Sequence, residues 1–374
     1  MSTGKSASIQ KHFADLTDPR RREGTYPLIN IVVIALCAVI AGADDFVAIA
    51  AFGRAKREFL RKFLDLSSGI PSHDRFNAIL GAIKPAEFET CLLSWITSLH
   101  EITGGQIVAI DGKTLRRSFD TASSKAAIHM VSAWATANHL TLGQIVVDAK
   151  SNEITAIPKL LEVLEIKGCL VTIDAMGCQV DIAQKIIDRE AHYLLAVKDN
   201  QPTLYDGIQS HFLENLEDDF ARTKVSRHKT QETGHGRDET REYLVCRVPK
   251  DCPAFDRWPG LKAIGMAVNY VTQNGKTTDF VRYYILGKVL SARQFGAGVR
   301  SHWGIENNLH WQLDVTFNED QCRIRKGHAD SNFSSLRRTA LSLLKNNKTA
   351  KVGIKNKRFL AALDDDYLLE VMLA

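Results

Sequence analysis

Apolar residues in the first hundred positions recur at helical spacing. Residues 28–43 form a nearly continuous apolar run of 16 residues that contains Asn30. This run is shorter than the roughly 20 residues that a membrane span requires, so it predicts a buried helix. Residues 46–64 interleave apolar and basic positions, and Ser72 precedes an apolar stripe as a helix cap does. Residues 1–100 are therefore predicted to form a helical N-terminal domain.

The basic residues of this domain leave two interpretations open. Short basic helices separated by a tight turn fit a helix-turn-helix-like module that binds DNA. They fit equally a plain helical bundle with a basic surface, because base-reading residues are not identifiable from one sequence.

The pattern changes after Gly105. Residues 106–111 are a short, apolar, β-branched run that ends at Asp111-Gly112, which is typical of a buried strand. The elements expected next are strands at 128–139 and 142–149, a helix at 157–166, a strand at 169–174, a helix at 180–189 and a strand at 192–198. Three strands followed by alternating helices and strands predict a mixed α/β sheet.

Two aspartates take equivalent places in this pattern. Asp111 and Asp174 each end a predicted buried strand, and open α/β sheets build their sites at the carboxyl ends of strands. Neighbouring strands lie about 4.8 Å apart, so two such carboxylates can converge on a metal ion. Either aspartate alone is as well explained as a helix cap or a turn residue, but two in one sheet favour a site.

Residues 201–288 interrupt the α/β alternation and predict a β-rich insertion. The strands expected there are 222–228, 242–248, 261–270 and 278–286. Asn274-Gly275 predicts the hairpin turn between the last two. Arg237, Glu239 and Arg241 fall on one face of a strand. That face fits either a phosphate-contacting edge or an exposed strand with alternating charges.

Residues 299–315 predict one helix. Its apolar stripe holds Val299, Trp303, Leu309 and Leu313, and a neighbouring line holds His302, Glu306 and His310 at every fourth position. A carboxylate between two histidines and two tryptophans is unusual on a solvated face, so Glu306 is a candidate active-site residue. The same three polar residues also fit a zinc site, although no cysteine is near. The tryptophans are expected in the core.

The C-terminal residues are strongly basic. Residues 101–200 and 289–346 are expected to form one α/β core, which ends with a helix at 330–346. Six of the fourteen residues from 345 to 358 are cationic: Lys345, Lys348, Lys351, Lys355, Lys357 and Arg358. Such a run fits nucleic-acid contact or a solvated tail. Residues 347–374 are therefore predicted as a basic tail followed by a short helix that docks back.

Composition narrows the class of protein. The chain has 374 residues and a formal net charge of +5, which is compatible with nucleic-acid binding without demonstrating it. Its seven cysteines include no CxxC pair, which favours reduced thiols over a disulfide framework or a zinc knuckle. Residues 1–11 are polar and lack a signal-peptide core. We therefore expect a cytoplasmic protein.

The order strand-Asp, strand-Asp, β insertion, helix-Glu resembles that of DDE transposases, which are built on an RNase H-like fold. Local strings strengthen the resemblance to the H-repeat-associated branch of bacterial insertion-sequence transposases. These strings are Ile110-Asp-Gly-Lys-Thr-Leu-Arg-Arg117, Asp148-Ala-Lys-Ser-Asn-Glu-Ile-Thr-Ala-Ile-Pro158, Thr172-Ile-Asp-Ala-Met-Gly-Cys-Gln179, Tyr193-Leu-Leu-Ala-Val-Lys-Asp-Asn-Gln201, His235-Gly-Arg237 and His302-Trp-Gly-Ile-Glu-Asn-Asn-Leu-His-Trp-Gln-Leu-Asp314. The resemblance extends over nearly the whole chain.

The resemblance implies an insertion-sequence transposase whose catalytic triad is Asp111, Asp174 and Glu306. The triad would hold two ions of Mg²⁺ or Mn²⁺. Such ions bind carboxylate and phosphate oxygens, and a pair of them acts together in phosphodiester displacement. The partners implied are double-stranded DNA with terminal inverted repeats, target DNA and a second copy of the chain in the synaptic complex. No membrane partner is implied, and the protein would associate with the bacterial nucleoid when bound to DNA.

One departure from the family pattern keeps a second function open. Many relatives place Tyr, Arg and Lys at fixed helical offsets from the glutamate, where this chain has Val299, His302 and Leu313. Arg300 or His302 is expected to take over the phosphate contact. The other candidate DNA contacts are Lys113, Arg116, Arg117, Lys198, Arg237 and Arg241. The alternative is a catalytically silent DNA-binding relative that persists as a regulator or remnant of a mobile element.

Overall fold

The computed structural model describes residues 9–22, 24–99, 106–118, 127–147, 152–234, 236–249 and 252–373. Its strands are β1 (Ile107–Thr114), β2 (His129–Ala135), β3 (Leu140–Val147), β4 (Leu170–Ile173), β5 (His192–Val197), β6 (Val225–Gly234), β7 (Arg237–Arg247), β8 (Ala263–Gln273) and β9 (Lys276–Leu286). They form a nine-stranded sheet in the order β3-β2-β1-β4-β5-β9-β8-β7-β6.

The pairing in the first half of this sheet is RNase H-like. The strands β3, β2 and β1 pair antiparallel in succession, whereas β4 and β5 run parallel to β1. Parallel neighbours need crossover connections, and helices supply them here. The predicted mixed α/β sheet is confirmed.

Helices precede, connect and follow these strands along the chain. They are α1 (Leu28–Ile40), α2 (Phe46–Ala55), α3 (Arg57–Leu60), α4 (His73–Leu80), α5 (Pro85–Leu99), α6 (Glu153–Val163), α7 (Val180–Asp188), α8 (Pro202–Glu217), α9 (Ala292–Ile305), α10 (Trp311–Val315), α11 (Ala329–Asn346), α12 (Ile354–Leu363) and α13 (Asp365–Met372). A π-helical turn, Glu306–His310, connects α9 with α10.

The predicted buried helix is α1, in which every residue from Asn30 to Ile40 is buried. The Asn30 side chain donates to the carbonyl oxygen of Asp65, so its amide is hydrogen-bonded inside the core. The Ser72 hydroxyl accepts from the Arg75 amide at 3.3 Å, which confirms the predicted cap. None of the described helices is long and apolar enough to cross a membrane.

Helix α11, from near the C-terminus, packs between the N-terminal helices and the sheet. Its residues from Ala329 to Leu344 are buried, and it packs against α1, α5 and β3. The Asn332 side chain donates to the carbonyl oxygens of Leu80 and Ile83 at 2.7 and 2.9 Å. The N-terminal helices therefore pack on the α/β core through a helix from near the C-terminus.

The insertion continues the main sheet. Strand β9 pairs antiparallel with β5, with Leu286 opposite Leu194, and β8, β7 and β6 follow in turn. Asn274 and Gly275 have φ of 52° and 76°, which confirms the predicted hairpin turn. Helix α8 lies in a segment where only strands were predicted. Its buried residues are Leu204, Ile208 and Phe212, spaced four apart.

The C-terminal basic run is partly internal, which corrects its interpretation as a solvated tail. Lys357 is buried and donates to the carbonyl oxygens of Leu344 and Asn347 at 2.8 and 2.6 Å. Arg358 is also buried and pairs with Asp44 at 3.0 Å. The predicted docking of a last helix is confirmed, because α13 buries Leu368 and Val371.

A buried ion cluster, here the Glu319 cluster, consists of Lys113, Asp314, Glu319 and Arg338. Glu319 lies 2.9 Å from the Lys113 ammonium and 3.2 Å from the Arg338 guanidinium, and Lys113 also pairs with Asp314. Burial raises the pKa of Glu319, but the charges of Arg338 and Lys113 outweigh burial and hold this pKa well below its usual range. The cluster connects β1, α10 and α11.

We predict that Glu319→Gln destabilises the protein by about 3–5 kcal/mol, because it removes the ion pair of buried Arg338 and leaves buried Lys113 with Asp314 alone. Chemical denaturation of the metal-free protein measures this loss. Glu58→Gln is the control, since the Glu58–Arg61 pair is exposed and such pairs contribute about 0–1 kcal/mol. Equal stability losses in the two variants would contradict a structural role for the cluster.

Candidate active site

The register of two parallel strands positions the two aspartates. Ile110 of β1 lies opposite Ile173 of β4, so Asp111 and Asp174 follow at neighbouring places. The expectation that both end a strand is wrong for Asp111. Strand β1 continues three residues further because its pairing with β2 extends to Thr114. Asp111 therefore lies within β1, opposite Ser132 of β2 and just beyond the pairing with β4.

Asp174 stands where β4 ends. Its Oδ1 accepts hydrogen bonds from the amides of Met176 and Gly177 at 3.0 and 3.3 Å. This is the turn role that the sequence left open as an alternative. The turn fixes the carboxylate, and the side chain still lines the cleft described below.

The third carboxylate is carried by a long helix that packs closely on the sheet. A capping box at Ser291 and Gln294 starts it, seven residues before the predicted beginning at Val299. A Cβ added at Gly296 would lie 2.8 Å from the Tyr243 ring, and one at Gly298 would lie 2.7 Å from Leu194. Because the two glycines have no side chains, the helix backbone packs directly on Tyr243 of β7 and Leu194 of β5.

The predicted helix is confirmed, with an interruption at Glu306, the candidate site residue. Glu306 begins the π-helical turn, and π-helical turns are frequent at functional sites because they re-aim side chains. Val299, Leu309 and Leu313 are buried as predicted. Leu313 therefore belongs to the core, where a lysine of the usual family pattern would have to bury its charge.

The expectation that the tryptophans lie in the core is wrong. Trp303 is 41% exposed and Trp311 is 53% exposed. The Arg282 guanidinium lies over the Trp303 ring, 4.6 Å from its centroid. Arginine stacks on an aromatic face at such distances, and here it holds the indole at the surface of the cleft.

All three candidate carboxylates line one cleft of about 240 Å³. Asp111 comes from β1, Asp174 from the end of β4 and Glu306 from the π-helical turn. The cleft also contains Thr172, Lys198, Arg282, Tyr284, His302 and Trp303. Three elements that are distant in sequence therefore present acidic side chains to the same space.

Crowding of negative charge marks the cleft. Burial raises the pKa of Asp111 to about 7, and the carboxylates of Asp174, Glu153 and Glu306 add to the rise. A hydrogen bond from the Gly112 amide acts in the opposite direction. A group of acids that oppose one another's ionisation is typical of a cation site, because a cation relieves the repulsion.

The two histidines of the helix are not placed as zinc ligands. Burial lowers the pKa of His302, whose Nδ1 lies 3.2 Å from the Thr172 hydroxyl. His310 is outside the cleft lining, with its Nδ1 3.5 Å from Asp111. Burial and the charges of Arg338 and Lys113 lower its pKa to about 3. In the described part of the chain, no three His, Cys, Asp or Glu side chains are grouped so that they hold a metal as they stand.

Comparison with known proteins gives the family. Residues 102–343 match the model of the transposase DDE domain, and residues 10–96 match the model of the segment associated with that domain. The chain belongs to the DDE transposase family. The RNase H-like order of β1 to β5 and the cleft with three acids agree with this membership.

Relatives of this transposase are similar over most of its length. The "H repeat-associated putative transposase YhhI" of Escherichia coli K12 is 40% identical over 97% of both chains. The "Putative transposase YncI" of Escherichia coli O157:H7 is 45% identical over 93% of this chain and 89% of its own length. An uncharacterised protein of Xanthobacter autotrophicus is 39% identical over 73% of this chain and 92% of its own.

The candidate DNA contacts fall into two groups. Lys198 is exposed and lines the cleft, and Arg116 and Arg117 are exposed just after β1, where Arg116 pairs with Asp320 at 3.5 Å. The remaining cations are also engaged with carboxylates. Arg300 pairs with Glu232, Arg237 and Arg241 both pair with Glu239, and Lys113 is buried in the Glu319 cluster. The alternating charges on β7 therefore neutralise one another within the strand.

Two residues beside the site were missed by the sequence analysis. Glu153 begins α6, and its Oε1 lies 2.6 Å from Nε2 of His129 on β2. The helix was predicted to start four residues later, at position 157. The missed signal was Asn152, whose side chain caps the helix by accepting from the Thr155 amide at 3.3 Å.

We predict that Gly296→Val pushes the Glu306 helix away from the sheet, because the new Cβ meets the buried Tyr243 ring. Overpacking of this kind costs about 1–3 kcal/mol, measured as a fall in the free energy of unfolding. Ala297→Val is the matched control, since Ala297 is the exposed neighbour on the same helix. The close approach would be refuted if both valine variants changed stability by the same amount.

Proposed function

We propose that this transposase catalyses divalent-metal-dependent strand cleavage and strand transfer at the ends of its own insertion sequence. The supporting observation is the cleft in which Asp111, Asp174 and Glu306 meet. Carboxylates are the protein ligands that Mg²⁺ and Mn²⁺ prefer. Burial raises the pKa of Asp111, and the neighbouring carboxylates, whose charge a cation would offset, add to that rise. The donor set therefore fits two such ions.

Each acid contributes a different degree of rigidity to the site. Asp111 is fixed within β1. Asp174 is fixed by the turn that follows it, because its carboxylate accepts a hydrogen bond from the Met176 amide. Glu306 lies on the π-helical turn, so its direction depends on the position of α9. When bound, the ions supply activation of the attacking oxygen and charge stabilisation of the leaving oxygen in phosphodiester displacement.

The cleft also offers contacts for DNA. Lys198 and Arg282 line the same cleft as the acids, where cations can neutralise backbone phosphates. His302 also lines the cleft and occupies the position where many relatives carry arginine. The DNA partners of this proposal are the terminal inverted repeats of the element and a target duplex, held in a synaptic complex by two copies of the chain.

We predict that Asp111→Asn, Asp174→Asn and Glu306→Gln each reduce Mg²⁺-dependent nicking of inverted-repeat DNA by more than about 100-fold. That figure is the upper range for losing an outer-shell partner of a metal. DNA affinity, measured by fluorescence anisotropy, should remain within about threefold, because phosphate contacts supply most of it. Glu165→Gln is the control, since this side chain is 90% exposed.

The same assay separates active and silent transposases. Unimpaired nicking by the Glu306→Gln variant would contradict the triad. A wild-type protein that binds the ends and cuts with neither Mg²⁺ nor Mn²⁺ would instead support a silent DNA-binding relative.

We predict a contrast between two lysines that the sequence alone treats as equivalent. Lys198→Gln should weaken DNA binding across all sequences and reduce the slope of log affinity against log salt by about 0.9, the value for one phosphate contact. Lys113→Gln should leave this slope unchanged and destabilise the fold, because Lys113 is committed to Glu319 and Asp314. A salt titration of binding measures both, and equal slopes for Lys198→Gln and wild type would refute the contact.

A further inference from the structure

A hydrogen-bonded row of three side chains lies against β1 beside Asp111. The Thr114 hydroxyl is 2.8 Å from Nδ1 of His129, and Nε2 of His129 is 2.6 Å from Oε1 of Glu153. Thr114 and His129 are opposite each other in the β1–β2 pairing. Glu153 reaches them from the first turn of α6. None of these residues has a role in the proposed triad.

Gly112 provides the space that Glu153 occupies. A Cβ added at Gly112 would lie 2.1 Å from Oε1 of Glu153 and 2.7 Å from Nε2 of His129. Any side chain at this position would therefore displace the carboxylate. Gly112 directly follows Asp111, so the missing side chain brings Glu153 against the residue next to a candidate metal ligand.

Glu153 is also partly withdrawn from solvent. Glu153 is only half as exposed as its partner His129, with 16% against 29% of each side chain accessible. A partly buried carboxylate near another acid is unfavourable unless a cation or a hydrogen-bond donor compensates for it.

We propose that Glu153 is a fourth carboxylate of the site and binds the same divalent cation as Asp111. This inference rests on the proposed function, because it concerns the ion that the triad would hold. Glu153 lies on a helix after β3, between the two aspartates in sequence, and is therefore separate from the three acids that the family pattern identifies.

His129 and Thr114 act as positioning residues in this proposal. A carboxylate accepts, so the Nε2 atom of His129 carries the proton that it donates to Glu153. In the neutral ring Nδ1 then accepts from the Thr114 hydroxyl. Groups that hydrogen-bond a metal ligand orient it and tune its affinity. This row engages Oε1 and fixes the direction of the whole carboxylate.

The test is direct Mn²⁺ binding to the full chain without DNA, measured by isothermal titration calorimetry. Glu153→Gln should weaken Mn²⁺ affinity by about 10–100-fold, the effect reported for losing residues that support a metal. Gly112→Ala should do the same, because it keeps the carboxylate and moves it. Glu162→Gln is the matched control, since Glu162 is an exposed acid of the same helix that pairs with Lys185.

The outcomes separate this inference from the proposed function. Wild-type affinity in both Glu153→Gln and Gly112→Ala, with Mn²⁺ binding lost in Asp111→Asn, would overturn the role of Glu153 alone. A wild-type protein that binds no Mn²⁺, or an Asp111→Asn variant that binds it as wild type does, would overturn the metal assignment of the proposed function. Thermal melting of each variant without metal distinguishes loss of a ligand from loss of the fold.

Discussion

The buried pairing of Glu319 with Lys113 and Arg338 is the interaction on which the geometry of the site depends. Lys113 follows Asp111 by two positions on β1, and its second partner, Asp314, follows Glu306 by eight on the same continuous helix. The cluster therefore fixes the strand of one candidate ligand against the helix of another, and Arg338 anchors both to α11. Charges removed from water require such complete pairing, because one unpaired member would cost several kcal/mol. Alternative positions of the Glu306 helix would break these pairs.

This arrangement explains how a chain with a long insertion builds one acidic cleft. The insertion separates Asp174 from Glu306 in sequence, but its strands extend the edge of β5 and return the chain to the sheet at β9. The glycines of α9 then let the helix approach the strands, and the π-helical turn directs Glu306 into the cleft. Cations are divided between two tasks: Lys113 stabilises the framework, whereas Lys198 faces the space where DNA phosphates would lie.

The sequence predicts the elements and their order, because apolar spacing within each segment is local information. The strands around both aspartates, the helix of Glu306 and the Asn274-Gly275 hairpin follow from such spacing. What it does not predict depends on distant partners. Asp111 lies inside β1 because the pairing of β1 with β2 continues past it to Thr114. Arg358 can be buried because Asp44 forms an ion pair with it. Trp303 packs at the surface under Arg282, which comes from β9 and lies over its ring. Glu153 becomes relevant only when Gly112 is seen to make room for it.

The central claim is that Asp111, Asp174 and Glu306 form a site for divalent cations in this transposase. An anomalous difference map from Mn²⁺-soaked crystals, recorded near the manganese absorption edge, tests it most directly. The account predicts a peak within coordination distance, about 2.0–2.6 Å for hard cations and oxygen ligands, of the Asp111 and Asp174 carboxylates. Glu306 should face the same peak. A cleft without manganese at a concentration that supports DNA cleavage, or an ion held by His302 and His310 instead, would contradict the account.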